Sequence, residues 1–126
     1  MSVVGIGVDI VDVDRIRAMS NAVKTKLAKR VLVESELVRY EQHKFPDAFL
    51  AKRWAAKEAA AKALGTGIAK NVSFQHFEIL ANDNNQPILT MSGEAKAVMQ
   101  SKGGEQCFLS LSDEEKYAIA YVVLSK

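Results

Sequence analysis

Apolar and polar residues change their spacing several times along the chain, and each change predicts a new element. The β-branched stretch from Val3 to Ile10 predicts a short, buried first strand. From Ile16 to Leu32 apolar residues recur at helical spacing opposite a basic face, which predicts one or two amphipathic helices. Ser35 is a suitable N-cap for a further short helix that extends to His43.

The longest predicted helix runs from Pro46 to Leu64, with Gly65 as its left-handed stop. After it the pattern predicts strands at Val72 to Leu80 and Pro87 to Met91, a helix from Ser92 to Met99, and strands at 107–111 and 117–124. The resulting order, β-α-α-α-β-β-α-β-β, predicts an α+β fold. We expect one mixed domain over residues 1–126, with an antiparallel sheet packed against the long helix.

Composition narrows the possible functions only slightly. The 126 residues carry 17 Lys and Arg against 15 Asp and Glu, and the net charge of +2 is too small to indicate nucleic acid by itself. The single cysteine, Cys107, has no disulfide partner and is expected to be a small buried residue. The sequence contains only two histidines, His43 and His76, in addition to this cysteine, so a structural zinc site is not expected.

The chain shows neither a secretory signal pattern nor a membrane-length apolar run, so we expect a cytoplasmic protein without membrane association.

From Phe49 onward, the long helix gathers cations around one acid, Glu58. Glu58 and Lys62 share a helix face, so one interpretation is an ordinary solvated ion pair. The other is a site for phosphate, because Mg²⁺ prefers one or two carboxylates together with phosphate oxygens and water. Asp9, at the end of the first strand, is the candidate second carboxylate, although a turn or cap role is equally compatible. The turn at 65–67, Gly-Thr-Gly, is either a helix stop or a backbone nest for phosphate. The other cations of the helix are Lys52, Arg53 and Lys57.

Two motifs resemble the signatures of the phosphopantetheinyl transferases. Gly7-Val8-Asp9, followed after five residues by Arg15, resembles the first signature, G-x-D-x5-R. The stretch from Phe49 to Ala63, FLAKRWAAKEAAAKA, resembles the second, F-x-x-K-[RW]-[WF]-x-x-K-E-A-x-x-K-A. Chain length and the GTGI that follows the second motif resemble the small trimeric class of this family.

This resemblance implies a phosphopantetheinyl transferase-like fold and a specific reaction. The 4′-phosphopantetheine arm of coenzyme A would pass to a serine of apo-acyl carrier protein, in fatty acid biosynthesis, and adenosine 3′,5′-bisphosphate would leave. Asp9 and Glu58 would hold Mg²⁺, and Lys62 would assist at the leaving group. The base that deprotonates the serine stays open between Glu58 acting through water and a water on the metal. The residues implied in coenzyme A contact are Arg53, Lys57, Lys62, Gly65 and Pro87.

The resemblance also implies that the chain binds an acyl carrier protein and further copies of itself. Acyl carrier proteins are strongly acidic, and the first predicted helices are basic, so charge complementarity would speed their association. The implied carrier-protein contacts are Arg15, Arg17, Met19 and Lys24, while an ordinary solvated basic face is the alternative. The family class also implies a homotrimer with active sites at the subunit boundaries. One position departs from the family pattern S-x-S-H, because the run from Ser110 ends in Asp113, which would repel phosphate.

Two other functions are compatible with the residues. The cations between Arg15 and Arg30 suit a non-enzymatic module that binds RNA or an acidic protein. The aromatic residues are mostly in expected core positions, which leaves few for base stacking, so no nucleic acid partner is expected. The same metal site could also serve a hydrolase of nucleotide diphosphates, which would need a positioned water in place of the serine.

Overall fold

The computed structural model describes residues 2–126 and confirms the predicted α+β architecture. The strands are β1 (Val3–Asp12), β2 (Phe77–Ala81), β3 (Pro87–Met91), β4 (Gln106–Asp113) and β5 (Tyr117–Ser125). The helices are α1 (Val13–Arg17), α2 (Asn21–Val31), α3 (Glu34–Gln42), α4 (Pro46–Leu64) and α5 (Gly93–Ser101). Within the described residues, no helix is both long and apolar enough to cross a bilayer.

The strands form two antiparallel sheets. One has three strands in the order β1-β5-β4, and the other is the hairpin β2-β3. Alternate residues of β5, including Ala120 and Val122, are fully buried on the face that packs on α4. Asp9 pairs in register with Ala120, so its side chain lies on that same inner face. The register therefore directs Asp9 toward α4.

Helix α4 lies at the centre of the molecule and is thin enough for β1 to approach it closely. Its alanines are buried on several sides, against β1 and β5 in particular. A Cβ added at Gly7 would collide with the carbonyl oxygen of Ala59, and one added at Gly5 would collide with that of Ala63. The glycines of the strand and the alanines of the helix thus set the short distance between the two elements.

At two element starts the structure differs from the prediction in the role of a serine side chain. The predicted strand from Val72 to Leu80 begins only at Phe77, because the Ser73 hydroxyl accepts a hydrogen bond from the Gln75 N–H and stabilises a 3₁₀ turn at Phe74–His76. Ser35 does not cap α3 but donates to Glu78, at 2.6 Å. The cap of α3 is supplied by Glu36, whose carboxylate accepts from the Val33 N–H.

The basic amphipathic segment consists of two helices. Ser20 adopts an extended conformation, and its hydroxyl accepts from the Val23 N–H, which starts α2 as a separate helix. The expected burial of Cys107 is confirmed in part: it is half-buried, with its Sγ 3.4 Å from the Sδ of Met99.

Candidate active site

Asp9, Glu58 and Lys62 come together where β1 crosses α4. Lys62 Nζ donates to Asp9 Oδ1 at 3.0 Å and to the Val8 carbonyl at 3.1 Å. The Asp9 side chain is only 18% exposed, whereas that of Lys62 is 52% exposed. Glu58 lies one turn before Lys62 on the same face of α4. The structure therefore joins, as one cluster, the three residues that the sequence singled out for chemistry.

The Asp9 carboxylate acts on the Glu58 carboxyl group. The pKa of Glu58 is raised above its ordinary value, first because burial removes water from the carboxyl group and second because the Asp9 carboxylate is close by. Three groups oppose this shift: the Lys62 ammonium, the Arg30 guanidinium and the indole N–H of Trp54. Neighbouring carboxylates of this kind repel each other until a cation lies between them.

The donor set fits a divalent ion that binds oxygen. Asp9 and Glu58 offer two carboxylates, and the described residues contain no group of three or more His, Cys, Asp or Glu side chains that would complete a protein-only site. Mg²⁺ usually takes one or two carboxylates and fills its other positions with phosphate oxygens and water. The site is thus suited to an ion shared with a phosphate ligand.

The four residues predicted to contact a carrier protein have different surroundings. Arg15 is exposed, with its guanidinium 5.3 Å from the centre of the Trp54 ring, and so lies beside the carboxylate cluster. Arg17 forms an ion pair with Asp14 at 2.9 Å, and Lys24 forms one with Asp47 at 3.1 Å. Met19 is half-buried. Arg15 is therefore linked to the carboxylate cluster through Trp54, whose indole N–H acts on Glu58.

A second candidate site is a cavity of about 300 Å³, called the Arg53 cavity below, which is lined by Arg53 and Pro87. Arg53 is 7% exposed, and its Nε has no hydrogen-bond partner among the described residues. The cavity is also lined by Asp113 and by two further cations, Arg39 and Lys52, of which Lys52 lies 3.7 Å from the Asp113 carboxylate. Asp9, Glu58 and Lys62 do not line this cavity.

The structure contradicts the expected contact between Lys57 and coenzyme A. The Lys57 side chain is 0% exposed, and its Nζ is bound to Glu36 Oε1 at 2.6 Å and to the Val31 carbonyl at 2.7 Å. Residues along α4 rotate by about 100° each, so Lys57 faces the interior while Glu58 faces β1. No outside ligand can reach its ammonium group in this arrangement.

The turn after α4 is a helix stop rather than a phosphate nest. Gly65 is exposed and left-handed, with φ of 84°, as predicted. Its N–H donates to the Lys62 carbonyl, and the Gly67 N–H donates to that of Ala61, so both are engaged by the helix end. Gly65 itself remains accessible to a ligand.

Sequence reasoning missed three groups that shape the two sites. Arg30 was assigned only to the basic face of the first helices, yet its charge acts on Glu58. The Trp54 N–H acts on the same carboxylate, and its position one turn before Glu58 was a usable signal. Glu36 carried no such signal, because a glutamate in a short polar helix is normally exposed.

Comparison with known proteins agrees with this geometry. Residues 5–122 match the family model described as the 4′-phosphopantetheinyl transferase superfamily. A holo-[acyl-carrier-protein] synthase of Shewanella frigidimarina is 50% identical over 124 residues, which is 98% of each chain.

Solved structures show the same likeness. The crystal structure of holo-[acyl-carrier-protein] synthase from Neisseria meningitidis superposes with a TM-score of 0.90 at 38% identity, covering 99% of this chain and 100% of that one. That of the Helicobacter pylori enzyme in complex with coenzyme A superposes with a TM-score of 0.81 at 35% identity, covering 95% and 99%.

Proposed function

The chain belongs to the 4′-phosphopantetheinyl transferase superfamily, and we propose that it transfers the 4′-phosphopantetheine group of coenzyme A to a serine of apo-acyl carrier protein, as fatty acid biosynthesis requires. The observation that carries this proposal is the cluster of Asp9, Glu58 and Lys62, in which paired carboxylates lie beside an ammonium group. Such a cluster suits a diphosphate substrate.

In the reaction the serine oxygen attacks the phosphorus that carries the pantetheine arm. A new P–O bond forms, the P–O bond to the second phosphate breaks, and its electron pair leaves on adenosine 3′,5′-bisphosphate. Asp9 and Glu58 would hold Mg²⁺, which when bound supplies positive charge to the diphosphate. Lys62, the most exposed member of the cluster, can turn from Asp9 toward the leaving oxygen and neutralise it. The Glu58 carboxylate can accept the serine proton through a water.

The basic surface around α1 and α2 suits the acidic carrier protein. Arg15 is exposed and stacked on Trp54, so a partner bound to it would lie next to Glu58. Arg17, Met19 and Lys24 extend this surface, although Arg17 and Lys24 would first exchange their internal acids for those of the partner. Charge complementarity of this kind mainly raises the association rate.

The Arg53 cavity suits the nucleotide end of coenzyme A. Arg53, with its unpartnered Nε, and the nearby Arg39 and Lys52 provide cations for a phosphate, and Pro87 lines the same cavity. Asp113 takes the place of the histidine of the family pattern, and its pairing with Lys52 partly neutralises its charge. In this proposal Arg39 and Arg53 supply the positive charge that a histidine would add.

A homotrimer is supported by an exposed apolar face. The outer side of the three-stranded sheet presents Ile6, Val8 and Ile10 of β1, each more than half exposed, next to Ile119 and Tyr121 of β5. An apolar sheet face of this extent is typical of an interface. Lys62 shares a surface hollow with Ile6, Val8 and Tyr121, so a subunit covering this face would border the carboxylate cluster.

We propose further that each active site spans two subunits. The carboxylate cluster and the cavity at Arg53 are separate on one chain. A neighbouring subunit on the sheet face would bring its own Arg53 cavity toward the cluster, so that one coenzyme A molecule contacts both.

The direct test is a mass measurement on apo-acyl carrier protein incubated with the chain, coenzyme A and Mg²⁺. We expect a gain of about 340 Da, the mass of one phosphopantetheine group, and loss of the gain in Glu58→Gln. Release of phosphopantetheine into solution without an acceptor would instead indicate a hydrolase. RNA binding with no mass gain would indicate a binding module, and either result would contradict the proposal.

A further inference from the structure

Lys57 and Glu36 form a fully buried hydrogen-bonded pair. Lys57 Nζ donates hydrogen bonds to the Glu36 carboxylate and to the Val31 carbonyl, and also to the Phe74 carbonyl at 3.3 Å. Glu36 accepts from Lys57, from the Val33 N–H at 2.9 Å and from the Ile79 N–H at 2.8 Å. Two side chains thus connect α4 with the end of α2, the start of α3 and strand β2.

At the end of α2, the carbonyl groups of residues 29–32 all accept hydrogen bonds from side chains. Gln75 Nε2 donates to the carbonyls of Lys29, Arg30 and Leu32, and Lys57 takes the remaining one, that of Val31. The Arg30 guanidinium also lies over the Phe74 ring, 5.4 Å from its centre. Helix C-termini usually leave such carbonyls to water. These contacts fix the position of Arg30, the α2 cation whose charge acts on Glu58.

Stability alone is a weak reason for burying two charges here. Replacing a buried ion pair by uncharged groups of similar size is often neutral or stabilising, whereas removal of one partner is costly. Lys57 is the neighbour of Glu58 along α4, so any anchor at Lys57 also fixes the direction in which Glu58 points.

We propose that Lys57 and Glu36 are a positioning pair that holds Glu58 toward Asp9 and Arg30 in the geometry that binds a metal–diphosphate complex. This inference rests on the proposed function, because it concerns the same carboxylate cluster. Neither side chain touches the substrate. Their effect passes through the rotation of α4 and through the fixed end of α2.

The test uses the full chain and Mn²⁺, which prefers the same oxygen ligands as Mg²⁺ and is observed directly by electron paramagnetic resonance. The variant is the double substitution Lys57→Met/Glu36→Gln, which removes both charges together and so avoids an unpaired buried charge. Met99→Ala, a truncation of a buried side chain on α5, is the control for general loss of stability. Circular dichroism establishes that each variant is folded at the assay temperature.

In the presence of coenzyme A, we expect the affinity of the folded double variant for Mn²⁺ to fall by about 10- to 100-fold, as for other groups that orient metal ligands. We expect transfer activity at a low, fixed Mn²⁺ concentration to fall in the double variant and to recover as the Mn²⁺ concentration is raised, and Met99→Ala to retain the original Mn²⁺ affinity. Unchanged Mn²⁺ affinity in the folded double variant, or an equal loss in Met99→Ala, would overturn the inference.

If the double variant does not fold, Glu36→Gln alone decides the question. The substituted amide keeps an acceptor oxygen for Lys57 but cannot serve all three donors that the Glu36 carboxylate serves. Weaker Mn²⁺ binding supports the positioning role, and unchanged binding overturns it. A failure of the proposed function is distinguishable, because the unaltered chain would then show neither Mn²⁺ binding with coenzyme A nor the mass gain on the carrier protein.

Discussion

Lys57 and Glu58 are neighbours in the sequence and have different environments in the fold. Glu58 lies against β1 with Asp9, where the sequence motifs predicted it. Lys57 was predicted to contact a phosphate and is instead fully buried against Glu36. A cation-rich helix does not reveal which of its lysines faces the interior, because that depends on a partner far along the chain. The cluster was predictable from the two motifs that resemble the family signatures, and the buried pair of Lys57 and Glu36 was not.

The environment of Glu58 leads to a titration experiment on the metal-free protein. We expect Asp9→Asn to lower the pKa of Glu58, because the substitution removes a neighbouring negative charge and releases Lys62 from Asp9. A ¹³C NMR titration of the side-chain carboxyl groups measures this directly. Protons compete with a metal at Glu58, so metal binding in the unaltered chain should weaken as the pH falls through this pKa.

Asp14→Asn is the matched control, because Asp14 pairs with Arg17 on α1 and does not influence Glu58. It should leave the Glu58 titration unchanged. A Glu58 midpoint that stays the same or rises in Asp9→Asn would show that the two carboxylates do not interact.

Asp113 provides a second experiment on a single charge. Asp113→Asn should strengthen coenzyme A binding by about two- to fivefold, the range expected for a partly exposed charge, because it removes a repelling carboxylate and frees Lys52. The gain should be smaller for 3′-dephospho-coenzyme A, since that ligand lacks the phosphate proposed for this cavity. Isothermal titration calorimetry with both ligands measures the difference.

Glu114→Gln removes a neighbouring charge that does not line the Arg53 cavity, and it should leave both affinities unchanged. If Asp113→Asn strengthened binding of the two ligands equally, the 3′-phosphate would have to bind elsewhere.

At the scale of elements, the close contact between β1 and α4 brings the site together. The glycines of the strand and the alanines of the helix leave room for this close packing. The boundary error before β2 arose because the Ser73 side chain binds nearby backbone. Such local hydrogen bonds compete with a strand, and apolar periodicity does not detect them.

Gly7→Ala tests the strand-to-helix contact. The added methyl group would meet the Ala59 carbonyl oxygen, so β1 and α4 must separate. We expect a loss in the free energy of unfolding of about 1–3 kcal/mol, as for other overpacked sites, together with a loss of transfer activity in the protein that remains folded. Guanidinium unfolding and the carrier-protein mass gain measure the two effects. Unchanged stability and activity would contradict this account of the contact.

At the scale of the whole molecule, the residues implied in metal binding and those implied in coenzyme A binding lie mainly in two places. Asp9, Glu58 and Lys62 form one cluster, while Arg53 and Pro87 line a separate cavity. Sequence motifs predicted most of these residues but not their separation, because the spacing of residues on α4 does not show which of them one ligand can reach. The exposed sheet face was likewise not predicted, because the run of β-branched residues in β1 predicted a buried strand, whereas Ile6, Val8 and Ile10 are each more than half exposed.

A subunit-mixing experiment tests whether neighbouring chains share a site. In the proposed homotrimer, each of the variants Glu58→Gln and Arg53→Gln should be nearly inactive at low coenzyme A concentration. A mixed trimer of the two variants contains one boundary at which an intact Glu58 cluster meets an intact Arg53 cavity. We therefore expect co-expressed and co-purified mixed trimers to recover activity. Absence of any recovery in confirmed mixed trimers would show that each site belongs to one chain.

The central claim is that Asp9 and Glu58 together hold a divalent ion against the diphosphate of coenzyme A. The most direct measurement is an anomalous-difference map from crystals grown with coenzyme A and Mn²⁺. The claim predicts one strong peak between the Asp9 and Glu58 carboxylates, in contact with diphosphate oxygens. A diphosphate bound elsewhere, or a metal peak away from these two side chains, would contradict it.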